Sequence, residues 1–284
     1  MKIGIIGKGF VGSAIEHGFS SNQNYKTEIK IYDKDPILST HSLEQTVNES
    51  DIIFLSVPTP ANKDGTINLG VVENVLFEIE KCQVNDGIIV LKSTVTPGSC
   101  EIFTKNFPKL KIVFNPEFLT EKNAKDDFIN QSRIILGGIE KLTNKVAELY
   151  NWRFENSIPI IQTNFQTAEL IKYMSNTFLA TKVSFMNEMK MIADKANVDW
   201  AKAVKGFILD PRIGKSHTTV PGDDGKLGFG GTCFPKDIQA LIKFSETIGI
   251  DTKIIKGAWE TNLKVRPERD WEKLKGRSVV ESED

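Results

Sequence analysis

The sequence predicts an α/β protein in two parts. A doubly wound parallel sheet occupies residues 1–164, and an all-helical central domain built on one long helix occupies 165–275. Three observations carry this. Seven short runs, at 2–6, 28–32, 52–56, 87–91, 111–114, 133–136 and 158–162, alternate with helical stretches. Most are continuously apolar for four or five residues, as strands covered on both faces must be. The segments between them are long enough for crossover helices. Finally, residues 165–196 contain no Gly or Pro and keep a helical period, and a helix of that length crosses a whole domain.

The later elements follow in order. Shorter helical stretches are expected at 200–208 and 238–248, with a Gly-rich loop at 211–231 between them. The last helical stretch, 252–274, should break at Pro267. In the tail, 276–284, "GRSVV" reads as the start of another strand, followed at once by acidic residues.

Composition narrows the function. A formal charge of −1 gives no electrostatic case for nucleic acid or an anionic membrane. No apolar run reaches the ~18 residues that span a bilayer. No basic region or cleavage pattern precedes the apolar run at 3–6, so no secretory signal is visible. Cys82, Cys100 and Cys233 are an odd count at wide spacing. They argue against a disulfide framework and for a reducing, cytoplasmic setting. There is no Cys-x-x-Cys and the three histidines stand far apart, so no metal site is expected.

"KIGIIGKGFVGSAI" places Gly7, Gly9 and Gly12 in G-x-G-x-x-G spacing, after a strand and at the opening of a helix. Gly7 permits the tight turn, Gly9 lets backbone approach a pyrophosphate, and Gly12 lets the helix pack on the strand. The N–H groups of the first turn, at Phe10, Val11 and Gly12, and the helix dipole favour the phosphates. Asp33 ends the second strand, 21 residues after Gly12. A carboxylate there binds ribose hydroxyls and repels a 2′-phosphate, which favours NAD over NADP, with Lys34 softening the preference. The first domain is therefore Rossmann-like.

Loops at the carboxyl ends of strands line the cofactor crevice of such a sheet. Thr59 in "VPTP" and Thr94 in "KSTVTPG" sit in two of them, although both could simply be turn residues. "NPEFLTE" puts Glu117 and Glu121 four apart, on one face of a helical turn, where two acids could divide binding and general-base work. Solvated surface acids are the commoner account. Lys172 and Asn176 share a face of the long helix and could stabilise an oxyanion. On the helix alone an exposed polar stripe is the better account, and Glu169 could even pair with Lys172 at i,i+3. Cys233, in "GFGGTCFPKD" beside Lys236 and Asp237, is favoured as a nucleophile, because a cysteine near a lysine is partly thiolate. Cys82 and Cys100 read as filler. His217 could contact a ligand but reads as an exposed loop histidine, and His17 and His41 have no partner pattern.

In combination the dinucleotide turn, "KSTV", "NPEFLTE", the Lys-x-x-x-Asn helix and "GFGGTCFPKD" resemble the UDP-glucose/GDP-mannose dehydrogenase family, from residue 2 to about 275. The resemblance implies NAD-dependent oxidation of a nucleotide-sugar C6 alcohol to the carboxylate, through an aldehyde and a cysteine thioester, most simply from UDP-glucose. It implies that Cys233 is the nucleophile and that Lys172 and Asn176 hold the C6 oxygen. Asp237 and Thr94 would position water, and Glu121 and Glu117 would serve in hydrolysis and proton transfer. Thr59, Thr94, Glu121 and Lys236 would also lie at the cofactor. Glu117, Phe118, Leu119, Lys172, Asn176, Arg212, Phe229 and Gly230 would meet the sugar nucleotide. The family pairs through its long helix, which implies a homodimer. Its members carry a further α/β domain over the nucleotide, so this chain is expected to lack it, and a separate chain could supply it. The other readings are a single-hydride β-hydroxyacid dehydrogenase and a non-catalytic NAD-binding partner protein.

Overall fold

The computed structural model describes residues 1–20 and 26–281. It divides into two compact units, residues 1–59 with 69–172, and residues 60–68 with 173–284. The last residues of the acidic tail, 282–284, lie outside the described part.

In the first unit the strands are β1 (Lys2–Ile6), β2 (Glu28–Tyr32), β3 (Ile52–Leu55), β4 (Ile88–Leu91), β5 (Lys111–Phe114), β6 (Ile134–Gly137) and β7 (Ile160–Thr163). They form one sheet in the order β2-β1-β3-β4-β5-β6-β7. The helices are α1 (Phe10–Phe19), α2 (Leu43–Asn48), α3 (Gly70–Cys82), α4 (Ser99–Asn106), α5 (Ala124–Ile129) and α6 (Glu140–Phe154). The strand side chains divide by parity. Ile3, Ile5, Phe54, Val90, Val113 and Leu136 pack with Ala14, Ile15 and Phe19 of α1, Phe128 of α5 and Val146 of α6. Ile6, Ile53, Leu55, Ile89, Leu91, Ile112 and Phe114 pack with Val72, Leu76 and Ile79 of α3 and Phe103 of α4. Both faces are thus covered, which is why the strands read as unbroken apolar runs.

One pairing departs from the parallel expectation. β6 runs antiparallel to β5, through Phe114 and Gly137, and the other pairs are parallel. The six-residue α5 is only ~9 Å long. It packs its Phe128 on Gly18 and Phe19 of α1, and the chain enters β6 from the end where β5 leaves. The fifteen residues of α6 then make a true crossover to β7.

Helix α7 (Phe165–Lys195) is a single run of 31 residues. The second unit contains its later part with α8 (Trp200–Phe207), α9 (Phe234–Thr247) and α10 (Lys253–Val265). Its core joins Ala180, Phe229, Ile238, Ile242 and Ala258. One boundary differs from expectation, and one break falls where Pro267 was expected to put it. α9 begins at Phe234, four residues before Ile238, because Pro235 in the first turn needs no N–H partner there and presets the helical φ. α10 ends at Val265, just before Pro267, and a 3-10 turn follows at Asp270–Lys273. "GRSVV" does not open a strand of a new sheet. It turns back on itself, and the Val280 N–H donates to the Ala61 carbonyl while the Ala61 N–H donates to Ser278, both at 2.9 Å. Among the described residues no helix is long and apolar enough to cross a membrane.

A Cβ on Gly18 would lie 2.1 Å from the ring of Phe128, which is itself buried against Phe19 and Phe154. Gly18→Ala should therefore cost about 1–3 kcal/mol of stability by overpacking. Urea unfolding checks this, and an unchanged midpoint would show that Phe128 has room to move.

Candidate active site

The first unit carries a turn shaped for a dinucleotide. Gly7 holds φ +90°. A Cβ on Gly12 would stand 2.1 Å from the Gly7 carbonyl oxygen, whereas one on Gly9 would meet nothing within 4 Å. The close approach on one side and the open approach on the other are what a strand–turn–helix needs to admit a pyrophosphate. The Ser56 hydroxyl donates to the Gly7 carbonyl at 2.9 Å and fixes the turn. Asp33 follows β2 and accepts the Lys8 N–H at 2.6 Å and the Asp35 N–H at 2.9 Å. The Asp33 carboxylate is thus anchored to the glycine turn itself. These residues fit an NAD. Thr59 and Thr94 are both buried, in the loops that follow β3 and β4.

Glu117 and Lys172 meet in a buried ion pair at 2.8 Å, and the Lys172 ammonium also donates to the Glu117 carbonyl at 2.6 Å. Both side chains are less than a tenth exposed. A buried charge is tolerable only when paired and hydrogen-bonded in this way. Three expectations are corrected here. Lys172 is not on an exposed stripe. Glu169 does not pair with it, but accepts the Gly98 and Cys100 N–H groups at 2.6 and 2.8 Å. "NPEFLT" is not helical, because the second Glu117 oxygen accepts the Leu119 N–H at 2.6 Å and closes a local turn instead. Glu121 is consequently exposed while Glu117 is buried. Phe118 lies between cations, with the Arg133 guanidinium at 4.1 Å and the Lys172 ammonium at 5.5 Å from its ring centre.

Sequence reasoning missed Lys92. It leaves the end of β4, is 6% exposed, and donates to Asn115 Oδ1 at 2.9 Å. The same oxygen accepts the Tyr150 hydroxyl at 2.5 Å, and the Asn115 amide donates to the Ile135 carbonyl at 2.8 Å. Burial pulls the Lys92 ammonium down to about 7, with Glu117 opposing the fall and Lys172 adding to it. Lys92, Glu117, Phe118, Leu119 and Arg133 line a cavity of about 250 Å³. The available signal was a lysine closing an otherwise apolar strand run. Burial also raises the Glu169 carboxyl and the Cys100 thiol, so Cys100 is a buried, protonated filler.

In the second unit Asp237 is the hub. One of its oxygens accepts from the Asn176 amide at 2.6 Å and the other from the Lys236 ammonium at 2.5 Å. All three side chains are buried. Asn176 is therefore no surface residue either. Cys233 is the N-cap of α9, and its carbonyl accepts the Asp237 N–H at 2.8 Å. A thiol at a helix N-terminus sits in a positive field that favours the thiolate. The Lys236 charge is directed at Asp237. The Phe229 ring is enclosed by Phe234 and Trp259, and Gly230 lies against the Arg266 guanidinium. Arg212 is largely exposed and grips Asp210. His217 is half-buried, not exposed: its ring lies 5.5 Å from that of Phe234, and burial pushes its pKa down.

A doubly wound sheet with an open glycine turn after its first strand and a carboxylate anchored to that turn defines the frame of a dinucleotide-binding α/β protein. Residues 29–153 match the NAD binding domain of the UDP-glucose/GDP-mannose dehydrogenase family, and residues 166–264 match its central domain. A UDP-glucose 6-dehydrogenase from Rickettsia prowazekii is 36% identical over 266 residues, covering 87% of this chain and 59% of its own length. One from Rickettsia bellii is 33% identical over 300 residues, covering 94% and 68%. The structure of a UDP-glucose dehydrogenase from Pyrobaculum islandicum superposes with a TM-score of 0.81 at 29% identity, over 93% of this chain and 68% of that one. The chain belongs to the UDP-glucose/GDP-mannose dehydrogenase family. Its first unit is an NAD-binding domain of that family, and the chain spans little more than half the length of the Rickettsia prowazekii relative.

Lys92 titrates near 7 in the fold and near 10.5 when exposed, so the unfolded chain binds the extra proton between those values. Stability contributed at this position should rise with pH across that window. Relative to Lys92→Met, the wild type should gain about 1.4 kcal/mol per pH unit between pH 7 and 10, by urea unfolding. A gap independent of pH would show that Lys92 keeps an ordinary pKa.

Proposed function

We propose that this chain catalyses the NAD-dependent oxidation of the C6 alcohol of a nucleotide sugar, UDP-glucose, to the carboxylate. The observation that carries the reading is Cys233 at the N-terminus of α9, one turn before an Asp237 that is bound to both Asn176 and Lys236. A single hydride transfer needs no thiol, whereas two transfers at one carbon need a covalent anchor. The balance is RCH2OH + 2 NAD⁺ + H2O → RCOO⁻ + 2 NADH + 3 H⁺.

Bound NAD would supply the hydride acceptor. The turn from Gly7 to Gly12 would hold its pyrophosphate and Asp33 its ribose, with Thr59, Thr94, Glu121 and Lys236 as further contacts. Glu117, joined to Lys172, accepts the alcohol proton, and Lys172 with Asn176 holds the oxygen as charge develops. The Cys233 sulfur adds to the aldehyde carbon and the aldehyde oxygen takes the proton, giving a thiohemiacetal. Loss of hydride and proton leaves the thioester. Water adds to its carbonyl and expels the thiol, a step to which the family resemblance assigns Asp237, Thr94 and, as base, Glu121. The family resemblance assigns sugar-nucleotide contacts to Phe118 and Leu119 and to Arg212, Phe229 and Gly230. None of the three cysteines forms a disulfide, which suits a reducing compartment, and we place the protein in the cytoplasm.

We also propose a homodimer. One face of α7 exposes Leu170, Met174, Phe178, Phe185 and Ile192, a stripe at helical spacing that a soluble helix normally covers. Light scattering at micromolar concentration should give a dimer, and Phe178→Asp should give a monomer. A monomeric wild type would refute the pairing.

The test of the reaction is a count of NADH released per UDP-glucose. Wild type should release two. Cys233→Ala should form no acid while still binding NAD, and iodoacetamide should inactivate the wild type with substrate protecting it. Two NADH from the Cys233→Ala variant would exclude the nucleophile role, and one NADH from wild type would favour a simple alcohol dehydrogenase.

A further inference from the structure

The loop that leads to Cys233 is held by side-chain amides. Residues 228–231 belong to no helix or strand, and a run this rich in glycine loses much entropy when ordered. Asn262, on α10 and without exposed surface, meets that cost. Its Oδ1 accepts the Phe229 N–H at 2.7 Å, and its Nδ2 donates to the Phe229 carbonyl at 3.0 Å. One side chain thus makes the paired bonds that a residue of an adjacent antiparallel strand would make.

Asn187, on α7, accepts the Gly228 N–H at 3.1 Å, and its own amide is oriented by donating to the Val183 carbonyl at 2.9 Å. The close approaches of Asn262 and of Arg266 depend on missing side chains in the loop. A Cβ on Gly228 would lie 2.3 Å from Asn262 Oδ1, and one on Gly230 would lie 2.6 Å from the Arg266 guanidinium. Arg266 is itself fixed by Asp224 and Asp270 at 2.7 Å each. From the clamped Phe229 only Gly230, Gly231 and Thr232 lead to Cys233, where α9 begins.

We propose that Asn262, supported by Asn187, is a positioning residue for the Cys233 thiol. Neither amide is assigned contact with a reacting atom. They fix the backbone from which the thiol is presented. The inference rests on the reading of Cys233 as the nucleophile. If it holds, loosening the clamp damages the thiol-dependent second oxidation more than the first, so aldehyde escapes.

Asn262→Asp makes this testable. The carboxylate still accepts the Phe229 N–H but faces the Phe229 carbonyl with a second acceptor. Protonation restores a donor, so the defect should shrink as pH falls. Asn262→Ala has nothing to protonate and should show no such recovery. Asn187→Ala removes one bond of the three and is the milder second variant. The measurements are NADH per UDP-glucose, aldehyde trapped with a hydrazine, and the rate of Cys233 alkylation by iodoacetamide mapped by mass spectrometry. NAD affinity serves as the check of folding.

For Asn262→Asp at pH 8 and for Asn187→Ala, we expect NADH per substrate to fall from two towards one. Cys233 alkylation should change at least tenfold for Asn262→Asp, and NAD affinity should stay within about twofold. Wild-type stoichiometry and alkylation in both variants, in a protein whose Cys233→Ala form makes no acid, would overturn the inference alone. Acid formation by Cys233→Ala would overturn the nucleophile reading and the inference with it. Equal pH profiles for Asn262→Asp and Asn262→Ala would show that the donor to Phe229 has no part in placing the thiol.

Discussion

Lys172 has to be buried and charged, and much of the first unit's site follows from that requirement. An ammonium removed from water needs a carboxylate and a further acceptor, and Glu117 provides both through its side chain and its own carbonyl. Meeting them forces "NPEFLT" out of helical conformation and into a loop at the carboxyl end of β5. Lys92 then finds itself buried near a second cation. Burial, with Lys172 adding to it, pulls its pKa down to about 7 against the opposing charge of Glu117. Asn115 mediates, accepting from Lys92 and Tyr150 on one oxygen and spending its amide on β6.

The same helix sets the neighbouring interactions. Three residues before Lys172, Glu169 is also buried, yet among the described residues no cation pairs with it. Two backbone N–H groups at the start of α4 take that place, and its carboxyl is pushed upward by burial. One turn after Lys172, Asn176 binds Asp237 in the second unit. On this 31-residue helix the inward Glu169, Lys172 and Asn176 each have a partner of their own, as buried polar groups require.

The thiol is presented by different means. α9 supplies direction, since Cys233 stands at its N-terminus and Asp237 belongs to its first turn. The approach to Cys233 lacks regular structure, and its order comes from buried amides on α7 and α10 and from the aromatic enclosure of Phe229. A rigid helix and a side-chain clamp together define the sulfur's place, which a glycine loop alone could not do.

How much was legible depended on the range of the physics involved. The sheet could be read because strands covered on both faces must be continuously apolar, and the dinucleotide turn because its three glycines answer to local backbone geometry. The long helix showed itself by period and by the absence of Gly and Pro. Cys233 stood out by its context of glycines and a lysine. The reversal of β6, by contrast, depended on where the short α5 packs. Whether Glu117 and Lys172 were surface or core was undecidable from spacing, because burial of a charge is settled by a partner 55 positions away. Lys92 looked like an ordinary lysine, and Asn262 like one polar residue in an amphipathic helix. Their roles exist only through carbonyls and amides that other elements bring within 3 Å. Local backbone preference and hydrophobic period are written in the chain, whereas the pairing of buried polar groups is decided by the packing of distant segments.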